Sequence, residues 1–100
     1  MSVTPLAPPN SSVPNSGTPV TAIPANPVGG FITNPLTAAD QGIATAEPLY
    51  ISIVGDPALA ANGTTFALQP GQTWNVVSEQ TTPTRVDAPT NGHKFSATYW

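Results

Sequence analysis

Residues 64–77 read TTFALQPGQTWNVV, two short runs flanking Pro70-Gly71. Proline presets the first φ of a type II turn, and glycine supplies the positive second one. Tight two-residue hairpins favour the mirror-image turns instead. A two-residue loop here would also set Leu68 opposite Thr73 and Phe66 opposite Asn75. The large residues Phe66, Leu68, Trp74 and Val76 would then fall on opposite faces. Either a bulge shifts the register, or the chain crosses at this point from one sheet to another. Crossing lets all four side chains share one interior. It predicts an all-β fold, a small β-sandwich of jelly-roll or immunoglobulin-like kind.

The flanking segments fit that prediction. PLYISIVG (48–55) alternates, with Leu49, Ile51 and Ile53 facing one way and Tyr50, Ser52 and Val54 the other. TRVDA (84–88) sets Thr84, Val86 and Ala88 against Arg85 and Asp87. HKFSATYW (93–100) puts Phe95, Ala97 and Tyr99 on one face. Asp56-Pro57, Asn62-Gly63 and Asn91-Gly92 mark turns. Only TAADQGIATAE (37–47) allows a short helical turn, which Gly42 and Thr45 weaken. The expected core is Leu49, Ile51, Ile53, Phe66, Leu68, Trp74, Val76, Val86, Phe95, Ala97 and Tyr99. Such a core is thin even for a domain of about 60 residues, so the rest of the chain or a partner is expected to complete it. The segment GFITN (30–34) is a candidate to cover an open sheet edge.

Residues 1–39 are different. They hold eight of the thirteen prolines, at 5, 8, 9, 14, 19, 24, 27 and 35, and no charge; the first charged residue is Asp40. Each proline fixes φ, removes a donor and extends its predecessor, which excludes helix and disfavours a central strand. The expected organisation is an extended N-terminal arm over 1–30, a transition over 31–41, and a β-sandwich domain over 42–100. Thirty residues of polyproline-like strap would reach roughly 90 Å at ~3.1 Å per residue. Ordering it costs about 1–2 kcal/mol per residue. A flexible tail is the plain alternative. An ordered arm is expected to lie on neighbouring subunits or a larger partner, through the singly spaced Val3, Leu6, Val13, Val20, Ile23 and Val28. Phe31 and the out-of-phase terminal Trp100 join that contact set.

Charge and composition exclude several chemistries. The net charge is −3 and only 7% of residues are charged, against an average of about 25%. Arg85 and Lys94 are the only basic side chains, too few for phosphate recognition, so no nucleic-acid partner is expected. With no cysteine there is neither a disulfide nor a thiolate metal site. The first residues show no basic and apolar leader pattern, and no apolar run reaches the ~18 residues of a membrane span. Cytoplasmic synthesis and no membrane partner are expected, and Asn10-Ser11-Ser12 and Asn62-Gly63-Thr64 read as chance glycosylation patterns. His93 is the sole histidine and reads as a surface residue in a strand. Asp40, Glu47, Asp56, Glu79 and Asp87 are scattered singly, without a calcium-loop pattern. Neither a catalytic set nor a metal or cofactor is expected, and the chain reads as a non-enzyme.

The stretches GGFITNPLTAADQGIATAEPLYISIVG, NGTTFALQPGQTWNVV and TNGHKFSATYW resemble, over residues 29–100, small virion structural proteins of tailed bacteriophages. The nearest kind is the head-decoration or cement protein. The likeness is one of general character, carried by Pro-Gly-Gln turns, Thr-rich strands and a last strand after Asn-Gly-His. It implies a β-rich module on the outer capsid surface that clamps neighbouring major capsid protein subunits, as a homotrimer or a dimer, with an extended arm as strap. Removing residues 1–28 is then expected to abolish shell binding and leave a soluble β-domain. The alternative is a head- or tail-fibre-associated module that recognises a host glycan through Trp100, Tyr99 or Trp74.

Overall fold

The structure, a computed structural model, describes residues 4–100. Val3 lies outside the described residues. In chain order the elements are β1 (Ser12–Val13), β2 (Val20–Ile23), β3 (Gly30–Thr33), α1 (Ala38–Gln41), β4 (Leu49–Ser52), β5 (Phe66–Leu68), β6 (Thr73–Asn75), β7 (Thr84–Asp87), β8 (His93–Lys94) and β9 (Ser96–Tyr99). They form a four-stranded sheet ordered β2-β7-β4-β5, a three-stranded sheet ordered β6-β3-β9, and a two-residue ladder of β1 with β8. Every pairing is antiparallel.

The two larger sheets pack face to face as a small all-β sandwich. The crossing at Pro70-Gly71 is what separates them. Strand β5 belongs to one sheet and β6 to the other. Between them the Gln72 N–H donates to the Gln69 carbonyl at 3.0 Å, with Gly71 at φ +86°. That is the turn which proline followed by glycine favours. Because the chain changes sheet, Phe66 and Trp74 both turn toward the core and meet, half-buried, with ring centroids 5.6 Å apart. Helix α1 is as short as its sequence allows. The Thr37 hydroxyl accepts from the Asp40 N–H to start it, and Gly42 ends it in the left-handed region at φ 74°.

The core is fuller than residues 42–100 alone supply. Leu49, Ile51, Leu68, Val86 and Phe95 are buried, with Phe66, Trp74, Val76, Ala97 and Tyr99 packed against them. The remaining buried apolar members are Val13, Ala22, Ile23, Ile32 and Ala88, and Val20 is half-buried beside them. Val13, Ala22 and Ile23 come from the proline-rich leader and have no solvent exposure. Ile53, expected in the core, is half-buried.

Two expectations are corrected by this arrangement. The leader does not stand off as a strap from residue 10 onward. It enters the sheets as β1 and β2, and the longest dimension of the chain is 42 Å, less than half the reach of an extended arm. The physical reason is the thin core: apolar burial yields ~25 cal/mol per Å², and the chain's own open interior is the surface always within reach. GFITN does not cover an edge, because β3 is the central strand between β6 and β9. Prolines remain compatible with this fold. Pro19 and Pro24 flank β2, which is an edge strand with a register shift between Thr21 and Ile23.

Candidate contact surface

The side chains that fasten the leader are polar ones the sequence placed as isolated surface residues. Arg85 on β7 donates from Nη1 to Thr21 Oγ1 at 2.8 Å and from Nη2 to the Pro19 carbonyl at 3.1 Å, while its Nε meets Asp56 Oδ1 at 2.9 Å. Asp87, two positions on and 2% exposed, accepts from the Gly17 N–H at 3.1 Å and the Ala88 N–H at 2.8 Å. Asn10 donates from Nδ2 to the Thr21 carbonyl at 3.0 Å. Nothing in the local pattern of TRVDA marks these as long-range partners of residues 16–21.

His93 is corrected from surface to interior, since it has no exposure. Asn34 explains how. Its Nδ2 donates to the Glu47 carbonyl at 3.0 Å and the Leu68 carbonyl at 2.8 Å, which fixes Oδ1 as an acceptor. His93 Nε2 then donates to Asn34 Oδ1 at 2.8 Å, and Nδ1 faces Glu47 Oε2 at 3.0 Å. Gln41 closes the network, donating from Nε2 to the Pro35 carbonyl at 2.7 Å and accepting from the Glu47 N–H at 2.9 Å. Thr90 donates to both Glu47 carboxylate oxygens. A buried polar group is tolerated when its hydrogen bonds are made, and here both ring nitrogens are engaged. With Nε2 spent on Asn34 the imidazole has no free nitrogen for a reacting atom. The cluster positions the ends of β3, α1, β4 and β8.

The outer face of the three-stranded sheet is open to solvent, with Phe31, Thr73, Asn75 and Ser96 exposed. Registers pair Phe31 with Asn75 and Thr98, and Thr33 with Thr73 and Ser96. Ile32, Trp74 and Ala97 alternate to the inner side. The Gly29 and Trp100 backbones exchange bonds at 3.2 and 3.0 Å, which carries the pairing one step further and sets Trp100 on the same side as Phe31. A Cβ on Gly29 would lie 2.7 Å from the Trp100 indole, so the ring rests directly on that glycine. Leu6 donates its N–H to the Tyr99 carbonyl at 2.7 Å, and Val28 donates to the Trp100 carbonyl at 2.8 Å. Leu6 is 49% exposed, Val28 87% and Phe31 36%. No charged residue occurs in β3, β6 or β9.

Of the expected contact residues, Leu6, Val28, Phe31 and Trp100 therefore gather around β9. Val13, Val20 and Ile23 do not; they serve the chain's own core. Trp74 faces inward, and Tyr99 is half-buried against the core. The aromatic rings on this face are those of exposed Phe31 and half-buried Trp100, flanked by Thr98 and Asn75. An uncharged face carrying aromatic rings among hydroxyls suits a protein partner or a sugar, since contact cores are depleted in charge and enriched in aromatics. Comparison with family models, curated proteins and solved structures found no match.

Proposed function

We propose that this chain is a virion structural protein, a cement or decoration subunit that docks on the major capsid protein at the outer surface of a tailed-phage capsid. The docking surface is the outer face of the β6-β3-β9 sheet. One observation carries this: the strands of that sheet hold no charge, and their outward face presents Phe31 and Trp100 among Thr33, Thr73, Asn75, Ser96 and Thr98. Leu6 and Val28 extend its rim. The leader's role in docking shrinks to those rim residues, because its inner part fills the core. Repetition around a shell converts a modest single-site affinity into strong retention. Co-sedimentation with purified heads assembled without the protein tests the proposal. Saturable binding is expected, weakened on the order of tenfold or more by Phe31→Asp and unaffected by Val54→Asp in the β4–β5 loop. Binding indifferent to Phe31→Asp, or none at all, overturns it.

The pairing of Phe31 and Trp100 with Thr98 and Asn75 also suits a glycan, because sugar rings stack on aromatics and their hydroxyls bond to such flanks. A specific glycan-array signal lost in Trp100→Ala, together with no binding to heads, would favour that reading over the first.

A further inference from the structure

Four strands border the two larger sheets, and three of them have an outer backbone carbonyl bonded from within the chain. On β2 the Thr21 carbonyl accepts from Asn10 Nδ2 at 3.0 Å. On β5 the Leu68 carbonyl accepts from Asn34 Nδ2 at 2.8 Å. On β9 the Tyr99 carbonyl accepts from the Leu6 N–H at 2.7 Å. Strand β6 differs. The Val76 N–H bonds to Gly30 and the Asn34 N–H to Gln72, so the hydrogen-bonded rungs against β3 fall at Val76, Trp74 and Gln72. In an antiparallel ladder the alternate residues point their backbone groups outward. Those residues are Thr73 and Asn75. The Thr33–Thr73 hydroxyl contact at 2.8 Å agrees, since non-hydrogen-bonded pairs bring side chains closest. No proline, lysine or bulge interrupts β6, the devices by which edges are usually blunted.

We infer that β6 pairs with β6 of a second copy of this chain, antiparallel about a two-fold axis at Trp74, joining two three-stranded sheets into one. The register is self-complementary. Thr73 meets Asn75 of the other copy, and both are the outward-facing residues, so each such pair exchanges both of its backbone bonds. The same register sets Gly71 opposite Val77 of the second copy. Leu36, 69% exposed, lies against Gly71, where an added Cβ would come 3.1 Å from Leu36 Cδ1, and Val77 is 43% exposed. Pairing thus brings an uncovered Leu36 at one end of the strand toward an uncovered Val77 at the other. Neither β6 nor the β3 strand beside it carries charge to oppose the approach. The inference is independent of docking to a capsid.

Sedimentation velocity over a concentration series tests it with the full chain. The wild type is expected to shift from monomer to dimer with rising concentration. Asn75→Pro removes an outward N–H and no rung of the native ladder, so it should weaken dimerisation on the order of tenfold or more while far-ultraviolet circular dichroism stays native. Val77→Asp should do the same, and decides the question if the proline variant does not fold. Phe31→Asp, on the outer face rather than the edge, should dimerise like the wild type. A wild type that stays monomeric throughout, or a dimer that survives Val77→Asp and a folded Asn75→Pro, overturns the inference.

Discussion

Asn34 donates its side-chain amide to the Leu68 carbonyl at 2.8 Å, tying the end of β3 in one sheet to the edge of β5 in the other. The same residue accepts from His93 Nε2 and Gln41 Nε2 through Oδ1. One buried amide therefore fixes both the spacing of the sheets and the placement of the sole histidine. Replacing Asn34 with alanine takes the partner from His93 Nε2 and from the Leu68 carbonyl, while Gln41 Nε2 keeps the Pro35 carbonyl and the Glu47 carbonyl keeps Gln41. Each buried group left unpaired costs about 1–3 kcal/mol, so Asn34→Ala should lose on the order of 3 kcal/mol or more in urea unfolding. Thr98→Ala on the outer face should change stability by no more than about 0.5 kcal/mol.

Deletion of residues 1–28 should prevent cooperative folding. It removes Val13, Val20, Ala22 and Ile23 from the core and strips β2 from β7. The shortened chain is expected to show no sigmoidal thermal transition and shallow fluorescence of Trp74 and Trp100. A soluble, cooperatively melting fragment would mean the leader is dispensable to the sandwich.

Within the leader, side chains of similar chemistry should differ sharply. Ile23→Ala opens a cavity at a fully buried site and should cost about 2–5 kcal/mol. Leu6→Ala and Val28→Ala, at exposed sites, should fall within about 0.5 kcal/mol of the wild type. Chemical denaturation of the three variants side by side checks this.

Adjacent glycines should also behave differently. An added Cβ at Gly30 would sit 2.6 Å from the Thr98 carbonyl oxygen, a backbone atom held in the β3–β9 ladder. At Gly29 its nearest neighbours would be atoms of the Trp100 indole, at 2.7 Å. A side chain can swing away and a paired strand cannot. Gly30→Ala should therefore cost about 1–3 kcal/mol, and Gly29→Ala less, with a shift in Trp100 emission as the ring leaves its seat.

Local chemistry determined a good part of this molecule. Pro70-Gly71, set between Phe66-Leu68 and Trp74-Val76, carried enough conflict with a simple hairpin to reveal the crossing between sheets. The alternation over 48–55, 84–88 and 93–100 marked further strands, which the structure keeps as 49–52, 84–87 and, divided between two sheets, 93–94 and 96–99, and 37–47 allowed the one short helical turn. Trp100 was legible as outward-facing because it is out of phase with Phe95 and Tyr99, and the pairing of β3 with β9 sets Phe31 on the same side. The tertiary structure alone decided the fate of the leader and of the buried polar groups. A proline-rich stretch of isolated valines and isoleucines reads the same whether its pockets lie on another molecule or on its own chain. Likewise His93, Asn34, Arg85 and Asp87 look like surface residues until partners 46 to 70 positions away are brought beside them. Periodicity records which way a side chain faces along its own strand. Burial of a polar group depends on hydrogen-bond partners supplied from across the fold, and no local pattern encodes those.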